Sequence, residues 1–374
     1  MTESMTLGED DRIDWLRLMR SRRVGPATFW RLMSDHGTAR AGLDALPDIA
    51  REAGVENYAI CPPGVVAAEL KAGRAAGARL VAAPDPDYPA ALRDLDAPPP
   101  LLWVRGDTRL GARPCISVVG ARNASSLGQR MAARLSRELG EAGYVVVSGL
   151  ARGIDTAAHK AALATGTIAV CAGGVDVVYP PQNADLTTEI AGRGLLISDQ
   201  PMGLQPQARH FPARNLLVAA LGRATAVIEA AAKSGSLITA RAALDQGREV
   251  FAVPGHPFDA RASGCNHLIR EGAQLLRGAF DILDALGQPA PRPAPNPGPP
   301  APRPRAARAP NPALRDAAAL HGRILDRLGP SPLAEDQLIR DLGTDAGTLS
   351  PLLTDLELDG RIARQPGGLI ARLN

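Results

Sequence analysis

Between residues 115 and 286, short and continuously apolar runs alternate with helix-like stretches. The runs are ISVVG, YVVVSG, TIAVCA, GLLIS, TAVIEA and EVFAVP, and GQRMAARLSRELGEAG and SLITARAALDQG are two of the helical patterns between them. Strands that alternate with helices build βαβ units and a parallel sheet. The runs are apolar throughout rather than alternating, as expected of strands covered on both faces. The predicted fold class is therefore α/β, with an extended Rossmann-like, doubly wound and mostly parallel sheet. ARLVAA and PLLWVRG, upstream, are candidate edge strands. Residues 12–60 carry apolar positions at helical spacing in RIDWLRLMRS and GPATFWRLMSDHG, with breaks at Gly25-Pro26 and Gly37, and predict a small helical module.

Residues 288–312 hold 11 prolines, four arginines and no acid, a composition that builds no core and predicts an extended, mobile linker. Beyond it the pattern reads helix (313–328), helix (334–342), helix (346–359), then two strands in RIARQPGGLIARL around Pro-Gly-Gly. Three helices and a hairpin predict a winged helix. The expected domains are a helical module over 1–70, a Rossmann-like domain over 71–287, the linker over 288–312 and the winged helix over 313–374.

In a doubly wound sheet, ligands bind outside the carboxyl ends of the strands. The least ordinary segments sit there: GARNASSLG, SGLARGIDTAAHKAA, AGGVDVVYPPQN, SDQPMGLQPQARHFPARN, EAAAKSGSLITA and PGHPFDARASGCNHLI, one after each run. Gly120 permits a sharp turn into a helix whose N–H groups suit an anion. Ser125 and Ser126 either cap that helix or donate to phosphate. Gly149 and Gly153 flank Arg152, and Asp155 reads either as part of the site or as a favourable first-turn charge. Ser234, Gly235 and Ser236 open another helix as an anion nest, with Lys233 adding charge. None of these loops is a GxxxxGK[ST] or GxGxxG motif, and the pattern assigns no carboxylate to a ribose. A rim carrying Arg122, Arg209, Arg214 and Lys233 fits a string of phosphates better than a mononucleotide.

A nucleic-acid strand also needs aromatic faces. Aromatics are only 3% of the chain, so Phe211, between Arg209 and Arg214, stands out as a stacking face or else as core. Tyr179 is a weaker candidate. His159, His210, His256 and His267 lie near loops without metal-pair spacing, and Cys171 ends an apolar run and reads as buried. Glu229 is open between a general acid or base and a ligand to an internal helix end.

Composition adds limits. The formal charge is only +3, yet Lys71, Lys160 and Lys233 are the sole lysines. Arginine suits bidentate phosphate contact, although a GC-rich genome gives the same bias. Four separated cysteines suggest neither disulfides nor zinc. The acidic start lacks a leader pattern and no apolar run approaches the ~20 residues of a membrane span. A soluble, cytoplasmic chain with no membrane partner is expected, with no metal or cofactor.

VVGARNASSLG, VVSGLARGIDTAAHKAAL, GGVDVVYPPQN, SDQPMG with FPARN, EAAAKSGSLITARAALDQGREVFAVPG and GCNHLIREGA, in this order over about residues 80–286, together resemble the DNA-processing protein A (DprA/Smf) family. RRVGPATFWRLM resembles that family's sterile-alpha-motif-like domain, and the tail its winged helix. The resemblance implies a non-catalytic protein of natural transformation. It would bind and protect incoming single-stranded DNA, load the RecA recombinase onto it, and form homodimers through the Rossmann-like domain. The residues expected to meet DNA are Gly120, Arg122, Asn123 and Ser125 of the first loop, and Gly149, Arg152 and Gly153 of the second. Asn183 follows from the third, Arg209, Phe211, Arg214 and Asn215 from the fourth, and Lys233, Ser234, Gly235 and Ser236 from the fifth. Exchanging Arg122 or Arg214 for glutamate is expected to cut affinity without unfolding the chain. The pattern departs from the family at Ala121, Asp199 and Leu216, where serine, glutamate and arginine are usual. A Rossmann-like nucleotide-binding enzyme, such as a nucleoside-monophosphate phosphoribohydrolase, is the alternative, though its PGGxGTxxE pattern is missing.

The tail is different in charge. Residues 331–374 hold seven acids and four arginines, and Asp355, Glu357 and Asp359 fall on or beside the helix that would enter a major groove. Phosphates repel such a helix, so a protein-contact or regulatory module is expected, with a vestigial domain as the plainer reading.

Overall fold

The computed structural model describes residues 7–289, 324, 333–342, 344, 346–358, 361–365 and 369–372. The chain divides into two compact units, Met1–Pro293 and Ala294–Asn374.

The first unit is built on a nine-stranded sheet. Its strands are β1 (Arg79–Ala82), β2 (Leu101–Gly106), β3 (Cys115–Val119), β4 (Val145–Ser148), β5 (Thr167–Val170), β6 (Leu195–Ser198), β7 (Ala224–Val227), β8 (Glu249–Ala252) and β9 (Gln274–Leu275). Their spatial order is β1-β2-β6-β5-β4-β3-β7-β8-β9. The six apolar runs are β3 to β8, all parallel. ARLVAA and PLLWVRG are β1 and β2, attached through antiparallel pairing of β2 with β6. The chain steps outward from β3 through β4, β5 and β6, then returns to the other side of β3 as β7. That reversal opens a crevice between the carboxyl ends of β3 and β7, where doubly wound sheets bind ligands.

Helices cover both faces. They are α1 (Glu9–Arg20), α2 (Pro26–His36), α3 (Ala39–Glu52), α4 (Pro63–Ala75), α5 (Ala90–Arg93), α6 (Ser126–Glu141), α7 (Ile154–Ala162), α8 (Ala184–Arg193), α9 (His210–Leu221), α10 (Ser236–Asp245), α11 (Ser263–Arg270) and α12 (Ala279–Leu286). Strand side chains alternate between faces. Ile116, Val118, Val146 and Phe251 pack on Leu135 and Leu139 of α6 and Ala158 of α7. Their sequence neighbours Val145, Val147 and Val250 pack on Leu217 and Val218 of α9 and Ala243 of α10. Each fully buried side chain of this size contributes about 1.5–3 kcal/mol, and the polar residues buried within these strands are small hydroxyls: Ser117, Ser148, Thr167, Ser198 and Thr225.

The four N-terminal helices close around Trp15, Phe29 and Trp30, stacked edge-on with centroids 4.9, 5.7 and 5.2 Å apart. Their core takes in Ala82 of β1 and Leu101 of β2. Arg12 pairs with Asp85 at 2.6 Å, and Glu69 accepts from both Arg20 at 2.8 Å and the Trp103 indole at 2.7 Å. The helical module is thereby fastened to the antiparallel end of the sheet.

The second unit contains β10 (Leu333–Ala334), α13 (Glu335–Leu342), α14 (Ala346–Leu358), β11 (Ile362–Gln365) and β12 (Leu369–Arg372). Its sheet runs β10-β12-β11, antiparallel throughout. Leu338, Leu349, Leu353, Leu356, Ile362 and Ile370 are buried together with Ile324. This is a winged helix. The two-residue β10 adds a third strand to the expected hairpin. The helix expected over 313–328 lies outside the described residues apart from Ile324, and the linker expected over 288–312 does so beyond residue 289.

Candidate nucleic-acid interface

Because β3 to β8 are parallel, the loops that follow them share one rim. The first two are locked together by glycines. A methyl group on Gly120 would overlap the Ile154 side chain, and Gly153, at φ +78°, backs onto the carbonyls of Ala121 and Arg122. The Ile154 amide donates to Ala121 O at 3.2 Å. Such close approach leaves no room for a Cβ at either position.

The start of α6 is not free for a ligand. Ser125 caps it, its Oγ accepting from the Gly128 amide at 2.9 Å. Glu229, just past β7, accepts from the Ser125 amide at 2.9 Å and from the Ser125 hydroxyl. The carboxylate occupies the place an anion would take at this helix end, where a negative charge is favoured. Of the two readings of Glu229, the structure shows the internal helix-end ligand. Ser125, expected at the DNA, is occupied in capping.

The two central arginines part company. Arg122 is exposed, with its guanidinium 5.1 Å from the centroid of the Phe211 ring. Arg214 is only 5% exposed. Its Nη1 donates to the carbonyls of Gly149 and of Val170, the latter at 3.1 Å. Burial lowers its pKa, and Asp155 works against that shift. Asp155, itself 6% exposed, accepts from the amides of Gly149 and Ala151, both at 3.2 Å. Burial raises the Asp155 pKa and Arg214 opposes the rise. Asp155 is thus more than a first-turn charge: it holds the second loop through the Gly149 and Ala151 amides, while Arg214 holds the Gly149 carbonyl, so two buried charges form the floor beneath that loop. The expectation that Arg214 accepts glutamate without unfolding does not fit this burial, since a carboxylate there would face the Gly149 and Val170 carbonyls.

Phe211 is half-buried and also faces Tyr179, with ring centroids 5.8 Å apart. Tyr179, the weaker candidate by sequence, is exposed and belongs to the same cluster. Arg122, Arg152, Tyr179, Gln182, Phe211 and Arg214 line a cavity of about 270 Å³ with Cys171 in its wall. Burial pushes the Cys171 thiol up to about 11, so it stays protonated. A second cavity of about 610 Å³ shares Arg122, Gly149 and Arg214 and continues along Gly120, Asn123, Asn215, Lys233, Ser234, Gly235, Ser236 and Arg261. It lies at the β3–β7 crevice. Ser234 and Ser236 exchange a hydroxyl hydrogen bond at 2.7 Å.

Twelve of the sixteen residues expected at the DNA line these two cavities. Ser125, Gly153, Asn183 and Arg209 do not. Asn183 is buried and donates to Leu150 O and Thr156 Oγ1, both at 2.9 Å, bracing the second loop from below. Arg209 is exposed at the start of α9 and donates to His210 Nε2 at 3.3 Å. Arg261 is an addition that sequence reasoning missed. Its signal was faint: a lone arginine in a loop with a neighbouring acid. His159 is buried with its Nδ1 in a hydrogen bond with Thr167 Oγ1 at 2.7 Å, and burial holds it neutral with a pKa of about 3.

The family model described as DNA recombination-mediator protein A matches residues 79–287. The chain belongs to that family. A DprA-like N-terminal HHH domain matches residues 9–72 and a DprA winged helix domain residues 288–368. The resemblance read from the loops therefore holds, as does the three-part fold. Protein Smf of Synechocystis is 36% identical over 307 residues, covering 76% of this chain and 77% of that protein. DNA processing protein DprA of Streptococcus pneumoniae is 45% identical over 201 residues, covering 53% and 71%. The X-ray structure of the Streptococcus pneumoniae DprA superposes with a TM-score of 0.62 at 34% identity, covering 75% of this chain and 98% of that one. A Helicobacter pylori DprA structure, described for its single-stranded DNA binding mode, gives 0.52 at 31%, covering 56% and 95%. Among the described residues, no helix is long and apolar enough to cross a membrane.

Proposed function

We propose that this chain binds single-stranded DNA along the carboxyl-end rim and delivers it to the RecA recombinase during natural transformation. The observation that carries the reading is the exposed Arg122 guanidinium over the Phe211 ring, with Tyr179 beside it, at the mouth of two joined cavities. A cation and two ring faces at one opening take a phosphate and its bases together. Lys233 and Arg261 extend the positive path, while buried Arg214 fixes the loop shape from beneath. The family's description as a recombination mediator and the Helicobacter relative's single-stranded DNA binding support the same reading. Both Glu229 oxygens are engaged with Ser125, which weighs against a hydrolase acid or base there.

A homodimer through the Rossmann-like domain and a cytoplasmic location go with this function. The short edge strand β9 presents a half-exposed Leu275, a surface a second copy could cover. The winged helix, with Glu357 exposed on α14, serves as a protein-contact module rather than a duplex reader.

The test is oligonucleotide binding across a salt series, single against double strand, by wild type and Arg122→Glu. Sequence-tolerant binding that prefers single strands, weakens steeply with salt and collapses in the variant is expected. Equal affinity for both strand types, or an unaffected variant, refutes the rim site.

A further inference from the structure

The chain has five phenylalanines, at 29, 211, 251, 258 and 280. Phe29 and Phe251 are core, Phe211 lies at the cavity mouth, and Phe280 sits under the Arg277 guanidinium at 4.7 Å. Phe258 is different: it is 94% exposed. We infer that Phe258, paired with His256, is a second base-stacking platform for single-stranded DNA at the Arg261 end of the rim. The inference rests on the DNA-binding reading above.

Phe258 belongs to the loop that leaves β8, parallel to β3 and β7, so it rises on the same rim. The loop is braced rather than slack. Gly255 and Asn266 exchange hydrogen bonds at 3.1 and 2.9 Å. The Ala230 amide donates to Arg261 O at 2.7 Å, and the Asp259 amide to His256 O at 2.9 Å. The Phe258 amide donates to His256 Nδ1 at 3.3 Å, and the two rings lie 5.5 Å apart at 38°. A large apolar ring is thus held in water by a fixed backbone, with a second ring alongside. Such a ring gains by being covered, and its place in the fold says by what.

Arg261, three residues on, lines the larger cavity together with Lys233 and Arg122. A strand following those cations leaves the cavity beside this loop. Asp259 pairs with Arg261 at 3.1 Å and sets a carboxylate next to Phe258. A phosphate is disfavoured at that point, so the group that settles on the ring is a base. Stacking on an aromatic is sequence-tolerant because every base has a π-face, in keeping with a protein that must accept any incoming strand.

The experiment measures binding of a fluorescent oligothymidylate by full-length wild type, Phe258→Ala and Phe280→Ala. Phe280 is 54% exposed but follows Gly278, which backs onto Glu138 near the end of α6 remote from the rim. Phe258→Ala is expected to lose roughly tenfold in affinity, the size of one base–aromatic stack, while Phe280→Ala binds as wild type. Both variants should melt with wild type. In Phe258→Trp, indole fluorescence should be quenched on adding the oligonucleotide. Unchanged affinity in Phe258→Ala overturns the platform while leaving the Arg122 site intact. Unchanged affinity with impaired delivery to RecA also overturns it and assigns the ring to a protein partner. Failure of wild type itself to bind overturns the rim reading and the platform together.

Discussion

In Arg214→Ala, Asp155 would remain buried and lose the guanidinium that offsets its desolvation. Asp155 and Arg214 make no direct ion pair, but leaving a buried charge uncompensated costs about 3–5 kcal/mol. The Gly149 and Val170 carbonyls lose their donor in the same step. At roughly 2–4 °C per kcal/mol for a unit of this size, the melting temperature should fall by about 10 °C. Arg122→Ala is the comparison. Its side chain is exposed, so melting should stay within about 1 °C of wild type, in the range of ordinary surface changes. Its defect should appear in binding instead, with the slope of log K against log salt falling by about 0.7 for one lost phosphate contact on a single strand. Calorimetry and a salt titration on the same preparations separate the two. Adding Asp155→Asn to Arg214→Ala should restore part of the lost stability by removing the stranded charge. The pH dependence has a definite sign. Burial raises the folded pKa of Asp155 above 3.8, so its stabilising contribution is present below that value and is lost as pH rises through the folded pKa. Loss of Arg214 enlarges the shift, and the variant's deficit should shrink as pH is lowered. An Arg214→Ala protein that melts with wild type at neutral pH would refute the buried floor and return Arg214 to the ligand.

His159 is held neutral in the fold with a pKa of about 3 against 6.5 for the free side chain, so its contribution is complete above 6.5 and lost as pH falls toward 3. Urea denaturation at several pH values should show His159→Gln with a shallower acid slope, by up to about 1.4 kcal/mol per pH unit, and identical slopes would contradict a neutral buried ring. Ser125→Ala removes the α6 cap and a partner of Glu229; it should cost about 1 kcal/mol or more of stability and leave the salt slope of DNA binding unchanged, whereas a smaller slope would restore Ser125 to the phosphate. Gly153→Ala, at φ +78° against two carbonyls, should both destabilise the fold and weaken single-stranded DNA binding, by prying the first two loops apart. Normal binding by a folded Gly153→Ala protein would show that the loop junction does not shape the site.

The sheet was legible because its strands are buried on both sides, and a run such as YVVVSG has no other use for four consecutive apolar residues. Strand order was not legible, since nothing in the runs tells β7 to return beside β3. The family pattern located the rim but could not separate Arg122 from Arg214, which read alike as cations of the DNA pocket. A finer signal existed. Arg214 lies four residues after His210 and four before Val218, on the stripe of α9 that also buries Leu217 and Leu221. Helical spacing alone puts it on the inward face. Asn183 and Ser125 were misplaced for a related reason: polar side chains that fasten loops from within resemble, in sequence, those that face a ligand.

The fastening of the helical module to β1 and β2 has a consequence for taking the molecule apart. A fragment beginning near residue 79 would bare Leu80, Ala82 and Leu101, which the module covers, on the outermost strands of the sheet. An apolar surface next to an unpaired strand edge recruits other chains. The module therefore works as a guard against self-association, and dissections of this protein should keep residues 7–289 together.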